Sequence, residues 1–147
     1  MKYKFYGSDS KAVSPINEEF SAVKDQRHLY DLMSNIWCRY SCAPRMREEW
    51  SPENKTLGQC SITSFLVQDI FGGDVYGIKI PSGAYHCYNK IGDVEFDLTS
   101  EQFGDVKLDY SKGVKQSREE HFALTISGIK KEERYLYLKK ELLKAIK

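Results

Sequence analysis

The sequence predicts an α+β fold, and three observations lead to that class. A helix-type apolar pattern follows Gln59, three short strand-type segments come directly after it, and further helix-type patterns flank the whole. A length of 147 residues suits one core and is short for two. We therefore expect residues 25–147 to form one domain, preceded by an N-terminal extension at residues 1–24.

The first predicted helix covers residues 25–37, where apolar residues recur at helical spacing: Leu29, Leu32, Met33, Ile36 and Trp37. Residues 39–54 contain two prolines and no sustained period, which predicts a long loop. Trp50 in this loop is a candidate wall of a substrate-binding groove. The alternative is that Trp50 anchors the loop to the core.

The helix after Gln59 is predicted to be the central element. Its buried face has helical spacing: Ile62, Phe65, Leu66 and Ile70. Gly72-Gly73 supplies residues that end a helix in the left-handed conformation. Cys60 then lies in the first turn, where unpaired N–H groups and the helix dipole lower the pKa of a thiol. This position is typical of a reactive cysteine.

Three strand candidates follow at residues 74–80, 84–91 and 94–98, and they predict a small antiparallel β-meander. A two-residue turn at Gly92-Asp93 pairs Ile91 with Val94 and so sets the register. One face then collects His86, Tyr88, Glu95, Asp97 and Thr99. The other face collects Tyr85, Cys87, Ile91, Val94, Phe96 and Leu98.

Two helices are predicted to complete the domain. Ser117 and Glu120 have capping-box spacing and predict a short helix that ends near residue 124. A longer helix is predicted at residues 131–146, and its buried stripe is Tyr135, Leu138, Leu142 and Ile146.

Charge and hydropathy narrow the class of partner. The chain has 22 Lys+Arg against 21 Asp+Glu, so neither nucleic acid nor a membrane surface is an expected partner. The first six residues are too polar for a signal peptide, and no stretch approaches a transmembrane span. We expect a cytoplasmic protein whose cysteines are free thiols. A zinc site at Cys38 and Cys42, with His86 or Cys87, is an open alternative.

Cys60, His86 and Asp97 are candidates for a catalytic triad. In the predicted register His86 and Asp97 are diagonal neighbours that can share a hydrogen bond, provided that the Cys60 helix presents its N-terminus over the His86 face. His86 would take the thiol proton, and Asp97 would orient the imidazole. Gln59 is a candidate oxyanion donor, with the backbone N–H of Cys60.

The strand that carries His86 also suggests how a substrate would be held. Tyr88 and Asn89 are adjacent residues of this strand, and both are candidates to line a substrate cleft. His28 and His121 fall outside the predicted triad, and we expect them to face solvent or to pack against neighbours.

Short segments at residues 50–54, 57–60, 67–69, 71–73 and 97–103, with the histidine-containing strand, resemble the bacterial YunG-like family. The similarity covers about residues 29–103, and Cys87 beside His86 departs from the family pattern. The resemblance implies a papain-like, cysteine-peptidase-type fold. In that fold a central helix with the cysteine at its N-terminus packs on a small antiparallel β-meander, with flanking helices.

The triad and the resemblance together predict thiol-dependent acyl transfer on peptide, isopeptide or amide bonds. The substrate would be a protein or a small amide, and neither a metal nor an organic cofactor is required. The sequence leaves open whether water or an amine is the acceptor. The alternative is a non-catalytic binding module on a papain-like scaffold.

Overall fold

The predicted helices and the three predicted strands occur in the predicted order, in a computed structural model that describes residues 3–126 and 128–147. The α-helices are α1 (Gln26–Ser34), α2 (Cys60–Phe71), α3 (Arg118–Phe122) and α4 (Lys131–Ala145). The strands are β1 (Asp74–Lys79), β2 (Tyr85–Ile91), β3 (Val94–Phe96), β4 (Val114–Lys115), β5 (Thr125–Ile126) and β6 (Ile129–Lys130). The α+β class and the antiparallel meander are therefore confirmed. Three further short strands, β4 to β6, are not predicted by the sequence.

Helix α2 is buried on all sides because α4 and strand β2 pack against it from different directions. Two side chains anchor the helix by hydrogen bonds: Trp37 Nε1 donates to the Thr63 hydroxyl, and Asn89 Nδ2 donates to the backbone carbonyl of Ser64, each at 2.9 Å. The helix ends at Gly72, which has a φ of 85° that L side chains rarely adopt. These contacts fix the direction in which the helix N-terminus points.

The four-stranded sheet has the order β3-β2-β1-β4, and Ile91 pairs with Val94 as the two-residue turn predicts. Strand β3 ends at Phe96, because the next residue, Asp97, pairs with Tyr6 instead and donates its N–H to Tyr6 O at 2.9 Å. In the described part of the chain, residues 85–88 of β2 therefore pair with β1 only. Their other edge is open.

The N-terminal segment packs into the same core as the rest of the chain. Phe5, Phe20 and Val23 are at most 2% exposed, within one apolar cluster that also includes residues of α2. Asp25 then caps α1 by accepting a hydrogen bond from His28 N at 2.9 Å. Residues 3–24 therefore contribute side chains to the core of the domain through Phe5, Phe20 and Val23.

Helices α3 and α4 complete the domain, and Arg118 of α3 contacts α2. Arg118 forms an ion pair with Asp69 of α2 at 2.7 Å, and its guanidinium lies over the rings of Phe65 and Phe122. The buried stripe of α4 includes Tyr135, Leu138 and Leu142, as predicted.

Within the described ranges, every helix is too short or too polar to cross a lipid bilayer.

Replacing Phe20 with alanine tests whether the N-terminal segment belongs to the core. Phe20 is fully buried, so we expect Phe20→Ala to lower the free energy of unfolding by about 3–5 kcal/mol, measured by urea denaturation. Ile16→Ala, in the same segment at a side chain that is 74% exposed, is the control and should cost less than about 0.5 kcal/mol. If Phe20→Ala lowered the free energy of unfolding no more than Ile16→Ala does, the segment would contribute no core packing.

Candidate active site

Cys60, His86 and Asp97 come from three different elements and meet at the open edge of β2. Cys60 is the first residue of α2, His86 is the second residue of β2, and Asp97 directly follows β3. The Cys60 Sγ lies 4.0 Å from the carbonyl oxygen of Tyr85, and the backbone N–H of Cys87 bonds to Cys60. Both backbone groups are available because β3 does not pair with β2 at these positions.

The face that α2 covers decides how Cys60 can reach His86. The predicted triad requires the N-terminus of α2 to lie over the His86 face, whereas the body of α2 packs on the opposite face, which carries Cys87 and Asn89. Cys60 nevertheless reaches His86, because the thiol lies at the strand edge and can contact side chains on both faces. The two adjacent residues His86 and Cys87 therefore both bond to Cys60.

The imidazole of His86 is held by a buried carboxylate. His86 Nε2 lies 2.6 Å from Asp97 Oδ2, and each side chain is 1% exposed. Asp97 also accepts hydrogen bonds from Tyr110 OH at 2.7 Å and from Thr99 N at 3.1 Å, so both carboxylate oxygens are occupied. The hydrogen bond expected between His86 and Asp97 is therefore formed, and it orients the ring.

Burial and charge act in opposite directions on His86. Burial lowers the pKa of the imidazole, but the charge and hydrogen bond of Asp97, and then the bond to Cys60, raise this pKa to about 10. His86 is consequently an imidazolium at neutral pH. Because Asp97 occupies Nε2, the other ring nitrogen, Nδ1, is the one available to Cys60.

The two neighbouring thiols are driven to different protonation states. A hydrogen bond from the Cys87 thiol, followed by the hydrogen bond and charge of His86, outweighs burial and holds the pKa of Cys60 well below its usual range. The bond to Cys60, together with burial, raises the pKa of Cys87 well above its usual range. Cys60 is therefore the thiolate, and the fully buried Cys87 remains a protonated donor.

Gly58 allows the loop before α2 to reach the site. Its φ is +70°, and a Cβ at this position would lie 2.6 Å from Cys42 Sγ and 2.8 Å from Ala43 N. The Gly58 carbonyl accepts hydrogen bonds from Ala43 N and Arg134 Nη2, each at 2.9 Å. A glycine two residues before Cys60 is thus required by close backbone packing.

A cavity of about 470 Å³ reaches Cys60 and His86, and its volume is in the range of small-ligand sites. Its walls come from the loop before α2, the β1–β2 turn, the segment after Asp97 and the C-terminal helices. The lining residues are Ala43, Arg45, Met46, Leu57, Gly58, Cys60, Ser61, Ile80, Ala84, Tyr85, His86, Gln102, Phe103, Gln116, Glu120, His121, Leu124, Lys131 and Arg134.

Gln59 and Trp50 do not line this cavity. Gln59 is completely buried, and its Nε2 donates to Cys38 O at 3.1 Å, so its amide is directed into the protein and away from the thiol. Trp50 donates from Nε1 to Lys55 O at 3.0 Å, as expected of a loop anchor. Gln59 and Trp50 are therefore both used in hydrogen bonds to the backbone of neighbouring segments.

Tyr88 and Asn89 are also placed inside the protein. Each is 2% exposed; Tyr88 OH donates to Tyr110 O at 3.1 Å, and Asn89 bonds to α2 through Ser64. Both faces of β2 are covered at these positions, one by α2 and one by the segment around Tyr110. The expected substrate cleft therefore does not include these two residues.

Sequence reasoning missed two residues that contact the triad. Gln102 Nε2 donates to Thr99 O at 3.1 Å and lies 3.5 Å from His86 Nδ1, in the cavity wall. Gln102 lies within the segment at residues 97–103 that carries the family resemblance, and this was its available signal. Tyr110 binds Asp97 from a stretch with no motif or period, so only the tertiary structure identifies it.

The zinc alternative is not assembled in the part of the chain that the structure describes. The four cysteines are free, and no group of three or more His, Cys, Asp or Glu side chains in residues 3–126 and 128–147 has metal-binding geometry. Cys38 bonds to Tyr137, and Cys42 packs against Gly58.

Comparisons with known proteins agree on one family. A family model described as "YunG protein" matches residues 25–147. A curated relative, "Uncharacterized protein YunG" of Bacillus subtilis (strain 168), is 33% identical over 112 residues, which cover 76% of this chain and 86% of the relative. No solved structure gives a significant match.

The Asp97→Asn variant tests whether the carboxylate charge sets the protonation state of His86. The asparagine has the same shape but no charge, so it opposes the pKa-lowering effect of burial less than the carboxylate does. We therefore expect the pKa of His86 to fall from about 10 by about 1–3 pH units. An NMR titration of the ring protons measures this pKa. Asp93→Asn, at the exposed β2–β3 turn, is the control. An unchanged titration in Asp97→Asn would contradict the electrostatic assignment.

Tyr110→Phe removes one hydrogen bond to Asp97 and keeps the aromatic ring, which stacks on Tyr6 at 3.7 Å. Because the lost bond is buried and its acceptor is charged, we expect the free energy of unfolding to fall by about 1.5–3 kcal/mol in urea denaturation. Tyr6→Phe removes a surface bond to Glu95 and should cost less than about 1 kcal/mol. A smaller loss in Tyr110→Phe than in Tyr6→Phe would argue against a supporting role for Tyr110.

Proposed function

The chain belongs to the YunG family, and we propose that it is a thiol-dependent hydrolase or acyltransferase that acts through Cys60, His86 and Asp97. The observation that carries this proposal is a buried carboxylate–imidazole pair whose imidazole lines the same cavity wall as a thiol with a lowered pKa. A protein that used this region only for packing would not need an ionised sulfur there.

In the acylation step, the Cys60 thiolate attacks the carbonyl carbon of an amide, and the carbonyl π electrons move to the oxygen. The tetrahedral intermediate then expels the amine, and the His86 imidazolium gives the leaving nitrogen its proton. The products are a thioester on Cys60, a free amine and a neutral His86. Asp97 keeps the ring in place throughout and stabilises its charged form.

In the second step, neutral His86 removes a proton from an acceptor as that acceptor attacks the thioester carbonyl. Collapse of the intermediate breaks the carbon–sulfur bond and regenerates the thiolate–imidazolium pair. With water as acceptor the outcome is hydrolysis of a peptide, isopeptide or amide bond, and with an amine it is acyl transfer. The cavity volume accommodates either a small amide or one side chain of a protein substrate.

Two groups at the cavity wall are proposed to stabilise the negative oxygen of the intermediate. One is the backbone N–H of Cys60, at the start of α2, where the N–H groups have no partner within the helix. The other is the amide of Gln102, which takes the role that the sequence suggests for Gln59. This assignment follows from which of the two side chains lines the cavity.

The arrangement is also consistent with a papain-like scaffold, which we propose for this family. The nucleophile lies at the N-terminus of a buried helix, and the histidine and aspartate lie on a neighbouring antiparallel sheet. The competing function is a binding module with the same scaffold and no chemistry. The lowered pKa of Cys60 favours the enzyme, because a module has no use for a reactive thiolate.

Alkylation kinetics test the proposal without a known substrate. We expect iodoacetamide to label Cys60 faster than the other three cysteines at pH 6, because Cys60 is already ionised there, measured by peptide mass spectrometry across pH 5–10. His86→Ala should abolish the fast labelling below neutral pH. His28→Ala, which removes a histidine of α1 outside the cavity, should not change it.

A second measurement distinguishes a reactive thiol from a catalytic one. Incubation with p-nitrophenyl acetate should transfer one acetyl group to Cys60 and then release it, while Cys60→Ser should give no fast release of nitrophenol. Four cysteines with equally slow labelling, and no acetyl transfer to Cys60, would favour the binding module.

A further inference from the structure

The cavity that reaches Cys60 carries an excess of positive charge. Its wall includes three cations, Arg45, Lys131 and Arg134, and one carboxylate, the exposed Glu120. The Cys60 thiolate, the His86 imidazolium and the Asp97 carboxylate bonded to that imidazolium together add one negative charge, which leaves a net charge of +1. A cavity with this balance attracts anions in preference to neutral or cationic molecules.

Lys131, the first residue of α4, is a partly buried cation of this wall, whereas Arg45 is exposed. Its Nζ donates to His121 Nδ1 at 2.8 Å, and His121 in turn donates from Nε2 to Gln116 Oε1 at 2.9 Å. Burial, followed by the charge of Lys131, lowers the pKa of His121 to about 4, so this imidazole is neutral and fixed as the acceptor. The other two N–H groups of the ammonium have no partner in the described residues.

Arg134 is buried without a counter-ion. It is 3% exposed, and it donates through Nε and Nη2 to Ser41 O and through Nη2 to Gly58 O. No carboxylate in the described ranges forms an ion pair with Arg134 or Lys131. A buried cation without an anionic partner is unfavourable, and an anion that enters the cavity would relieve this cost.

We propose that Lys131, supported by the field of Arg134, binds a carboxylate of the substrate, so that Cys60 acts on amides or peptides with an anionic group near the scissile carbonyl. This inference rests on the proposed thiol chemistry. Burial lowers the pKa of Lys131 and of Arg134, and the charge of the Cys60 thiolate opposes this effect in both, but no hydrogen bond joins the thiolate to either cation in the described residues. The neutral His121 holds the ammonium by its remaining hydrogen bond, which leaves two N–H groups for the two oxygens of a carboxylate.

Two alkylating reagents that differ in charge test the proposal. Iodoacetate carries a carboxylate next to the carbon that the thiolate attacks, and iodoacetamide is its neutral analogue. The measured quantity is the ratio of the two labelling rates at Cys60, compared with the same ratio for an unstructured cysteine peptide. We expect the ratio at Cys60 to be the larger of the two.

Three variants locate the source of this preference. Lys131→Gln keeps a donor for His121 and removes the charge, so the ratio should fall roughly tenfold, as for the loss of one charged hydrogen bond. Lys131→Arg keeps the charge and should retain the preference. Lys140→Gln, which removes an exposed lysine farther along α4 and outside the cavity, should match the unmodified protein.

The outcomes separate this inference from the proposed function. Fast labelling by iodoacetamide with a ratio that Lys131→Gln leaves unchanged would overturn the carboxylate site and leave the thiol chemistry intact. A wild-type ratio no larger than that of the peptide would also overturn it. Slow labelling of Cys60 by both reagents would overturn the proposed function and this inference with it.

Discussion

The buried bond between His86 and Asp97 is the interaction on which the site depends. At 2.6 Å and 1% exposure, it keeps a charged imidazole inside the protein where burial alone would neutralise it. Because Nε2 is occupied by Asp97, the ring presents Nδ1 toward Cys60. Tyr110 and Thr99 fill the remaining capacity of the carboxylate, so the pair has the additional hydrogen bonds that a buried ion pair needs.

The early end of β3 explains how a helix on one face of the sheet reaches a histidine on the other. Once Asp97 leaves β2 to pair with Tyr6, residues 85–88 of β2 have an open edge, and the thiol of Cys60 lies against it. The N-terminal segment is therefore a structural part of the site, although it precedes the residues matched by the family model. The same edge places Cys87 beside Cys60, where it acts as a buried donor to the thiolate.

The residues that the sequence suggests for substrate contact show that a sequence pattern does not determine which side chains reach the cavity. Tyr88 shares the predicted face of His86, yet that face is covered by the segment around Tyr110, so the side chain is sealed inside. Gln59 precedes the nucleophile and bonds to Cys38, whereas Gln102, much later in the chain, lines the cavity. Whether a side chain reaches the site was therefore decided by the segments that cover it, and not by its adjacency to a triad residue in the sequence.

The amino-acid sequence by itself determined the helices α1–α4, the strands β1–β3 and the register of the β2–β3 turn: apolar spacing defined α2, and the two-residue turn at Gly92-Asp93 paired Ile91 with Val94. These features follow from local periodicity and turn geometry, which a single strand or helix already contains. Only the tertiary structure decided which face α2 covers, which side chains enter the cavity and where its positive charge lies. These depend on packing between segments that are distant along the chain, and no local pattern encodes that packing.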